Sequence, residues 1–236
     1  MEKLFDINEL PKIRNNLKDR DFRKRYWETN KKECRKNTYL VFNYLKKRLK
    51  INKKWKVHLL VSKFVLESEN KIAPYNYNSF SLTNLISSSP KQGYEIVIFL
   101  NKARIGFASL PALIPIIAHE MHHVKQIDKN LKKYNESFLN DKLSNLLEKE
   151  ADKAVFAITH INEFRKQEVL ESILFCYDNF GKWQGAKKMA DFWFKKIENI
   201  YGGGYIKNMT SKEYKSFNDA MKKNNISLFI DYFIKN

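Results

Sequence analysis

Histidine, cysteine, glycine and proline are all scarce in this chain of 236 residues, with five, two, seven and five copies. Cys34 and Cys176 lie far apart and form no C-x-x-C pair, which excludes a cysteine-based zinc site and suits a reducing compartment. A long hydrophobic run is also missing. The longest, IGFASLPALIPIIA at 105–118, has 14 residues, short of the roughly 20 that a membrane-spanning helix needs. The start, MEKLFDINEL, carries no basic segment followed by an apolar one, so no signal peptide is expected and the chain is placed in the cytoplasm or on a particle. No internal repeat and no low-complexity block is present.

What is there is enough to build a core. Hydrophobic residues make up 43% and aromatics 14%, which argues against disorder, and the length suits one domain with or without an extension. The net charge is +18, from 44 Lys+Arg against 26 Asp+Glu. Only eight of the 44 are Arg, and Asn, Ile, Tyr and Phe are abundant, a pattern that AT-rich coding produces in low-GC bacteria and their phages whatever the function. The excess is nonetheless uneven: residues 1–56 hold 19 basic and 7 acidic residues. Such a run reads either as a solvated helical face or as a surface for an anionic partner, a nucleic acid or an acidic protein surface.

The patterning predicts an α+β, mostly helical fold. Residues 1–55 read as a basic helical extension, with Val41, Phe42, Tyr44, Leu45 and Leu49 at helical spacing. Three extended runs follow at 54–66, 77–87 and 94–101, and the SSPKQG turn joins the last two as an antiparallel hairpin. A sheet of about three strands, antiparallel or mixed, therefore precedes the helices. One helix is expected over 109–128, either beginning at Pro115 or starting near Leu110 and kinking there. Others are expected over 136–161, 163–180 and 183–201, ended by GGG at 202–204. A last helix opens at Thr210, where Glu213 completes a capping box. The organisation read from this is 1–55 extension, 56–162 core and 163–236 helical subdomain.

Three of the five histidines fall within five residues, in PIIAHEMHHVKQ at 115–126. His119, Glu120 and His123 form H-E-x-x-H. On a helix the two histidines sit one turn apart on one face and can bind one Zn²⁺. Glu120 is rotated about 100° from His119, beside the metal, where its carboxylate can take a proton from a water activated there. A catalytic zinc wants a third protein ligand. EKEAD supplies a carboxylate, with Glu148 as ligand and Asp152, four residues on, reaching the far nitrogen of a ligand histidine. Glu150 is the alternative ligand; it lies about 200° around the helix from Glu148, so only one of them can face the metal. His122 reads as a groove-side or packing residue.

His119-Glu120-x-x-His123 followed 25 residues later by Glu148-x-x-x-Asp152 resembles the gluzincin group of zinc metallopeptidases. The local text is similar to the H-E-x-x-H-V-x-Q … E-x-E-A-D pattern of peptidase-like domains found with bacterial secretion and phage-type injection machinery. The resemblance covers 115–155. It implies a zinc-dependent endopeptidase that hydrolyses a peptide or protein substrate through a water activated by Glu120. It also implies a downstream His or Tyr as oxyanion donor, for which His160, Tyr177 and Tyr205 are candidates. In that group an exposed strand edge before the active-site helix pairs with substrate. The run at 94–101 holds that position, although a strand this apolar equally suits the middle of a sheet. The competing class is a basic nucleic-acid-binding, regulatory or particle-assembly protein that retains such a zinc site.

Overall fold

Alternation and β-branching at 56–62, and the long apolar helix after residue 109, lay down a mostly helical α+β chain built round a small mixed sheet. The structure is a computed structural model. It describes residues 17–31, 34–62, 64–67, 71–74, 81–89, 91, 93–105, 108–159, 162–181, 185–201, 209–213, 215–216 and 219. Among the described residues two basic helices come first, α1 (Arg20–Lys31) and α2 (Cys34–Arg48). The chain divides into two compact units. One holds residues 35–106 and 113–158; the other holds 1–34, 107–112 and 159–236.

The first unit contains the sheet. Strand β1 (Lys56–Ser62) comes first, then a separate antiparallel pair, β2 (Phe64–Glu67) and β3 (Lys71–Pro74). The single extended run expected at 54–66 is therefore two strands. β4 (Ser81–Ser89) and β5 (Gly93–Asn101) form the expected antiparallel hairpin, with Gly93 at φ +86, a value that favours glycine, where the turn ends. The strand order is β1-β5-β4, with β1 parallel to β5. The run at 94–101 is thus the centre of the sheet, so it offers no free edge for a substrate. Its composition explains this: Ile96, Ile98, Phe99 and Leu100 are at most 1% exposed, the near-continuous apolar run of a strand covered on both faces.

A short turn of helix, α3 (Lys102–Ile105), leads on to α4 (Leu110–Lys129). α4 starts at Leu110, as the second of the two alternatives has it, and contains Pro115. Pro115 removes one ladder hydrogen bond, but Leu113, Ile114, Ile116 and Ile117 are all buried around it, and that burial offsets the loss. The single helix expected over 136–161 is two: α5 (Leu131–Ser137) and α6 (Asp141–Thr159). The break has a local cause. Asn140 Oδ1 accepts the Leu143 N–H at 3.1 Å, an N-cap that starts a new helix.

The second unit is helical, with α1, α7 (Asn162–Asp178) and α8 (Ala186–Tyr201); α7 packs on α8. α7 is buried on nearly every face despite its charges, and these are matched locally. Lys166 pairs with Glu163 at 3.5 Å, Arg165 pairs with Glu168, and Glu171 accepts the Ser109 N–H at 3.1 Å. Arg23 ties α1 to α7: its Nε donates to Asp178 at 2.6 Å, and a terminal nitrogen donates to the Leu17 and Lys18 carbonyls. The capping box at Thr210 forms as expected, with the Thr210 N–H donating to Glu213 at 2.7 Å and the Glu213 N–H returning to the Thr210 hydroxyl at 3.3 Å. GGG at 202–204 and the tail from 220 lie outside the described residues. Among the described residues, no helix is long and apolar enough to cross a membrane.

Candidate metal centre

α4 is anchored before it reaches the site. Its first half is apolar and buried, and Met121, Val124 and Ile127 continue that face beyond His119. The polar residues between them are therefore held on a rigid helix. α6 is built the same way, with Leu147, Ala151 and Val155 buried at four-residue spacing. Glu148 and Asp152 follow each of the first two by one residue and so share one flank of α6.

The two flanks meet. His119 Nε2 lies 3.0 Å from Glu148 Oε2, His123 Nε2 lies 3.3 Å from Glu148 Oε1, and the two Nε2 atoms are 3.1 Å apart. Among the described residues these three side chains form the group able to hold a metal ion. The outward-facing nitrogens are both engaged. His119 Nδ1 is 3.2 Å from Asp152 Oδ1, and His123 Nδ1 is 2.8 Å from Gln126 Oε1. The orientation of the Gln126 amide is set by its other end, where Nε2 donates to the Leu147 carbonyl at 3.0 Å and to Glu150 at 3.3 Å. With both Nδ1 positions facing oxygen acceptors, each neutral ring keeps its proton there and turns an Nε2 lone pair inward.

This arrangement tests the fit of zinc directly. Two nitrogen lone pairs and a carboxylate converge on one point, which is repulsive unless a proton or a cation lies between them. Ligands at about 2.0–2.1 Å around a tetrahedral zinc lie ~3.3 Å from one another, and the observed separations match that edge. The donor set, two imidazoles and one carboxylate, is one that zinc accepts with a position left open.

Without metal, protons fill that role. Burial alone would lower His119, but the Asp152 and Glu148 hydrogen bonds and the nearby carboxylate charges outweigh it and raise the group to about 10. His123 is also raised, burial again being outweighed, first by the Glu148 hydrogen bond. Burial would raise Glu148, but the two imidazoles hold it well below the usual carboxylate range. His122 goes the other way: burial, then the His123 and Lys125 charges, lowers it to about 4. It stands outside the donor group.

Glu120 is buried, and its carboxylate is held from the sheet. Ser81 Oγ donates to Oε1 at 2.6 Å, and Thr83 Oγ1 donates to Oε2 at 2.6 Å. Tyr134 on α5 adds a third wall. Its hydroxyl donates to the Thr83 carbonyl at 3.1 Å, and its ring lies 6.2 Å from that of His123. Burial, then the Glu120 and Glu148 charges, pushes the Tyr134 hydroxyl up, so it stays protonated.

Glu148, not Glu150, is brought to the histidines; Glu150 instead accepts from Gln126 and faces Lys133 at 3.8 Å. Tyr177 belongs to the helical unit, where its ring packs on Phe180 and Phe194. His160 and Tyr205 lie outside the described residues. Four participants were not assigned a role from the sequence: Gln126, Ser81, Thr83 and Tyr134. Gln126 had a readable signal, since it follows His123 by three residues on the same helix. Ser81, Thr83 and Tyr134 come from other elements and carry no motif. No family model matches the chain, and neither a curated protein nor a solved structure matches it.

Proposed function

We propose that the chain is a zinc-dependent metallopeptidase of the gluzincin kind, with His119, His123 and Glu148 as metal ligands and Glu120 as general base. The observation that carries this reading is the inward convergence of two Nε2 atoms and one carboxylate at 3.0–3.3 Å, with Asp152 and Gln126 fixing both rings from behind. The spacing of the paired motifs supports the same reading. When bound, zinc supplies a Lewis acid that polarises the scissile carbonyl and makes a water acidic enough to attack near neutral pH. Glu120 takes the proton of the attacking water and passes it to the leaving amine. Asp152 and Gln126 hold the rings in the tautomer that binds.

An extended substrate pairs with β4. Among the described residues this strand has β5 on one side and no strand on the other, and it delivers Ser81 and Thr83 to Glu120. Strand addition there supplies main-chain hydrogen bonds, with alternate side chains selecting sequence.

The test is zinc per chain together with cleavage of casein and of the chain itself, in wild type, His123→Ala and Glu120→Gln. The expected result is about one zinc in wild type and in Glu120→Gln, little in His123→Ala, and cleavage by wild type alone. A wild type that binds no metal overturns the reading. Bound zinc without cleavage favours the basic assembly or regulatory protein. The exposed lysines from the end of α2 to the first residue of β1 (Lys47, Lys50, Lys53, Lys54 and Lys56) support an anionic partner for that region. Nucleic-acid binding there requires affinity that falls steeply with salt, as phosphate contacts release counterions.

A further inference from the structure

Ser81 and Thr83 are two residues apart on β4, so their side chains leave the same face of the strand. Both reach Glu120, one hydroxyl on each carboxylate oxygen, at 2.6 Å; the Thr83 hydroxyl also lies 3.0 Å from the Glu120 carbonyl, and its single proton goes to the nearer carboxylate oxygen. These are the short separations of charge-assisted hydrogen bonds. Glu120 is 4% exposed and Thr83 1%, so solvent does not replace either partner. Thr83 is itself fixed. Its branched Cβ restricts the rotamer, and its carbonyl is held by the Tyr134 hydroxyl at 3.1 Å. A carboxylate has about four acceptor sites. Two are taken from the strand side, which sets the plane of the group and leaves the remainder for the attacking water.

We propose that Thr83 and, second to it, Ser81 are positioning residues that fix the orientation of the Glu120 carboxylate, so that the edge strand of the sheet aims the base. This rests on the peptidase reading of the site. It goes beyond that reading in placing the control of Glu120 on β4 rather than on its own helix. Thr83 ranks first because it is the more buried and is the one anchored by Tyr134.

The experiment uses the full chain, loaded with zinc and zinc-free, as wild type, Thr83→Val, Thr83→Ser and Ser81→Ala. Valine keeps the shape and removes the hydroxyl; serine restores the hydroxyl and loses the methyl. With zinc, Thr83→Val is expected to lower kcat about 10- to 100-fold, the scale on which a misaligned group acts, with KM and zinc content close to wild type. Thr83→Ser recovers most of that loss, and Ser81→Ala costs less than Thr83→Val. Kinetics of Thr83→Val that match wild type overturn the proposal, as does a Thr83→Ser variant as impaired as Thr83→Val. A second readout needs no activity. The infrared carboxylate band of Glu120, isolated in zinc-free protein by difference against Glu120→Gln, shifts in Thr83→Val and returns in Thr83→Ser. An unshifted band overturns the proposal. If zinc-loaded wild type cleaves nothing, the peptidase reading fails, and the band alone decides whether β4 holds the carboxylate.

Discussion

Gln126→Leu removes the acceptor behind His123 while keeping the volume nearly constant. His123 is 6% exposed and Gln126 9%, so no water takes the place of the lost oxygen. Two outcomes are open to the ring. It can keep its proton on Nδ1 as a buried, unpaired donor, at a cost of about 1–3 kcal/mol. Alternatively, it can move the proton to Nε2, facing Glu148 Oε1 at 3.3 Å, and must then give it up again before a metal binds. Either way zinc affinity falls by about 10- to 100-fold, the usual cost of losing a partner behind a ligand histidine. Asp152→Ala is the comparison. Asp152 is charged, but its side chain is 35% exposed, so water compensates in part and the loss lies at the lower end, about 10-fold. The assay is zinc dissociation measured by competition with a chromophoric chelator, with folding checked by circular dichroism. A folded Gln126→Leu that binds zinc within about three-fold of wild type refutes the argument.

Metal and protons compete for the same groups. With His119 at about 10 and His123 raised without metal, zinc uptake at pH 7 releases on the order of one to two protons, and apparent affinity climbs with pH. Calorimetry in buffers of different ionisation enthalpy counts them, and uptake without proton release contradicts the assignment. In the zinc-free protein the sign of each group's contribution to stability is fixed. The raised His119 stabilises fully below its ordinary 6.5 and less as pH rises toward 10. The lowered Glu148 stabilises above its ordinary 4.5, a contribution lost as pH falls below that. The contribution of the cluster to urea resistance is therefore greatest between pH 4.5 and 6.5 and falls on both sides. In the helical unit, Arg23→Ala removes the hydrogen bonds to Asp178 and to the Leu17 and Lys18 carbonyls; with Asp178 34% exposed, stability falls by about 1–2 kcal/mol, and Arg23→Lys recovers only part because it lacks the fork. Equal urea midpoints for Arg23→Ala and wild type contradict this.

The local parts of the fold were legible in the sequence. The β4–β5 hairpin, the capping box at Thr210 and the helices carrying His119 and Glu148 all rest on signals within a few residues. The split between α5 and α6 escaped the sequence reading: Asn140 ahead of Asp141 is an ordinary N-cap, but the helical periodicity on both sides of it masked the signal. The centre of the sheet was not legible in the same way. The apolarity of β5 allowed it, but only its pairing with β1, some 40 residues earlier, makes it central. Within the site, i to i+4 spacing brought His119, His123, Glu148 and Asp152 forward, because one helix face is written in sequence. The hydroxyls on Glu120 come from 37 and 39 residues away, and a serine and a threonine on a strand look like any others until the strand is placed.

The three donors are not equally sheltered. The histidine side chains are 18% and 8% exposed on one rigid helix, whereas Glu148, on the other helix, is 56% exposed. In the proposed zinc site the two sheltered histidines would offer the ion fixed nitrogens, and the exposed Glu148 would be the ligand freest to move. On that reading the residence time of the ion would depend on how often Glu148 swings into water. Substitutions at Glu148 therefore change the rate at which a chelator strips the metal far more than the rate at which the metal is captured.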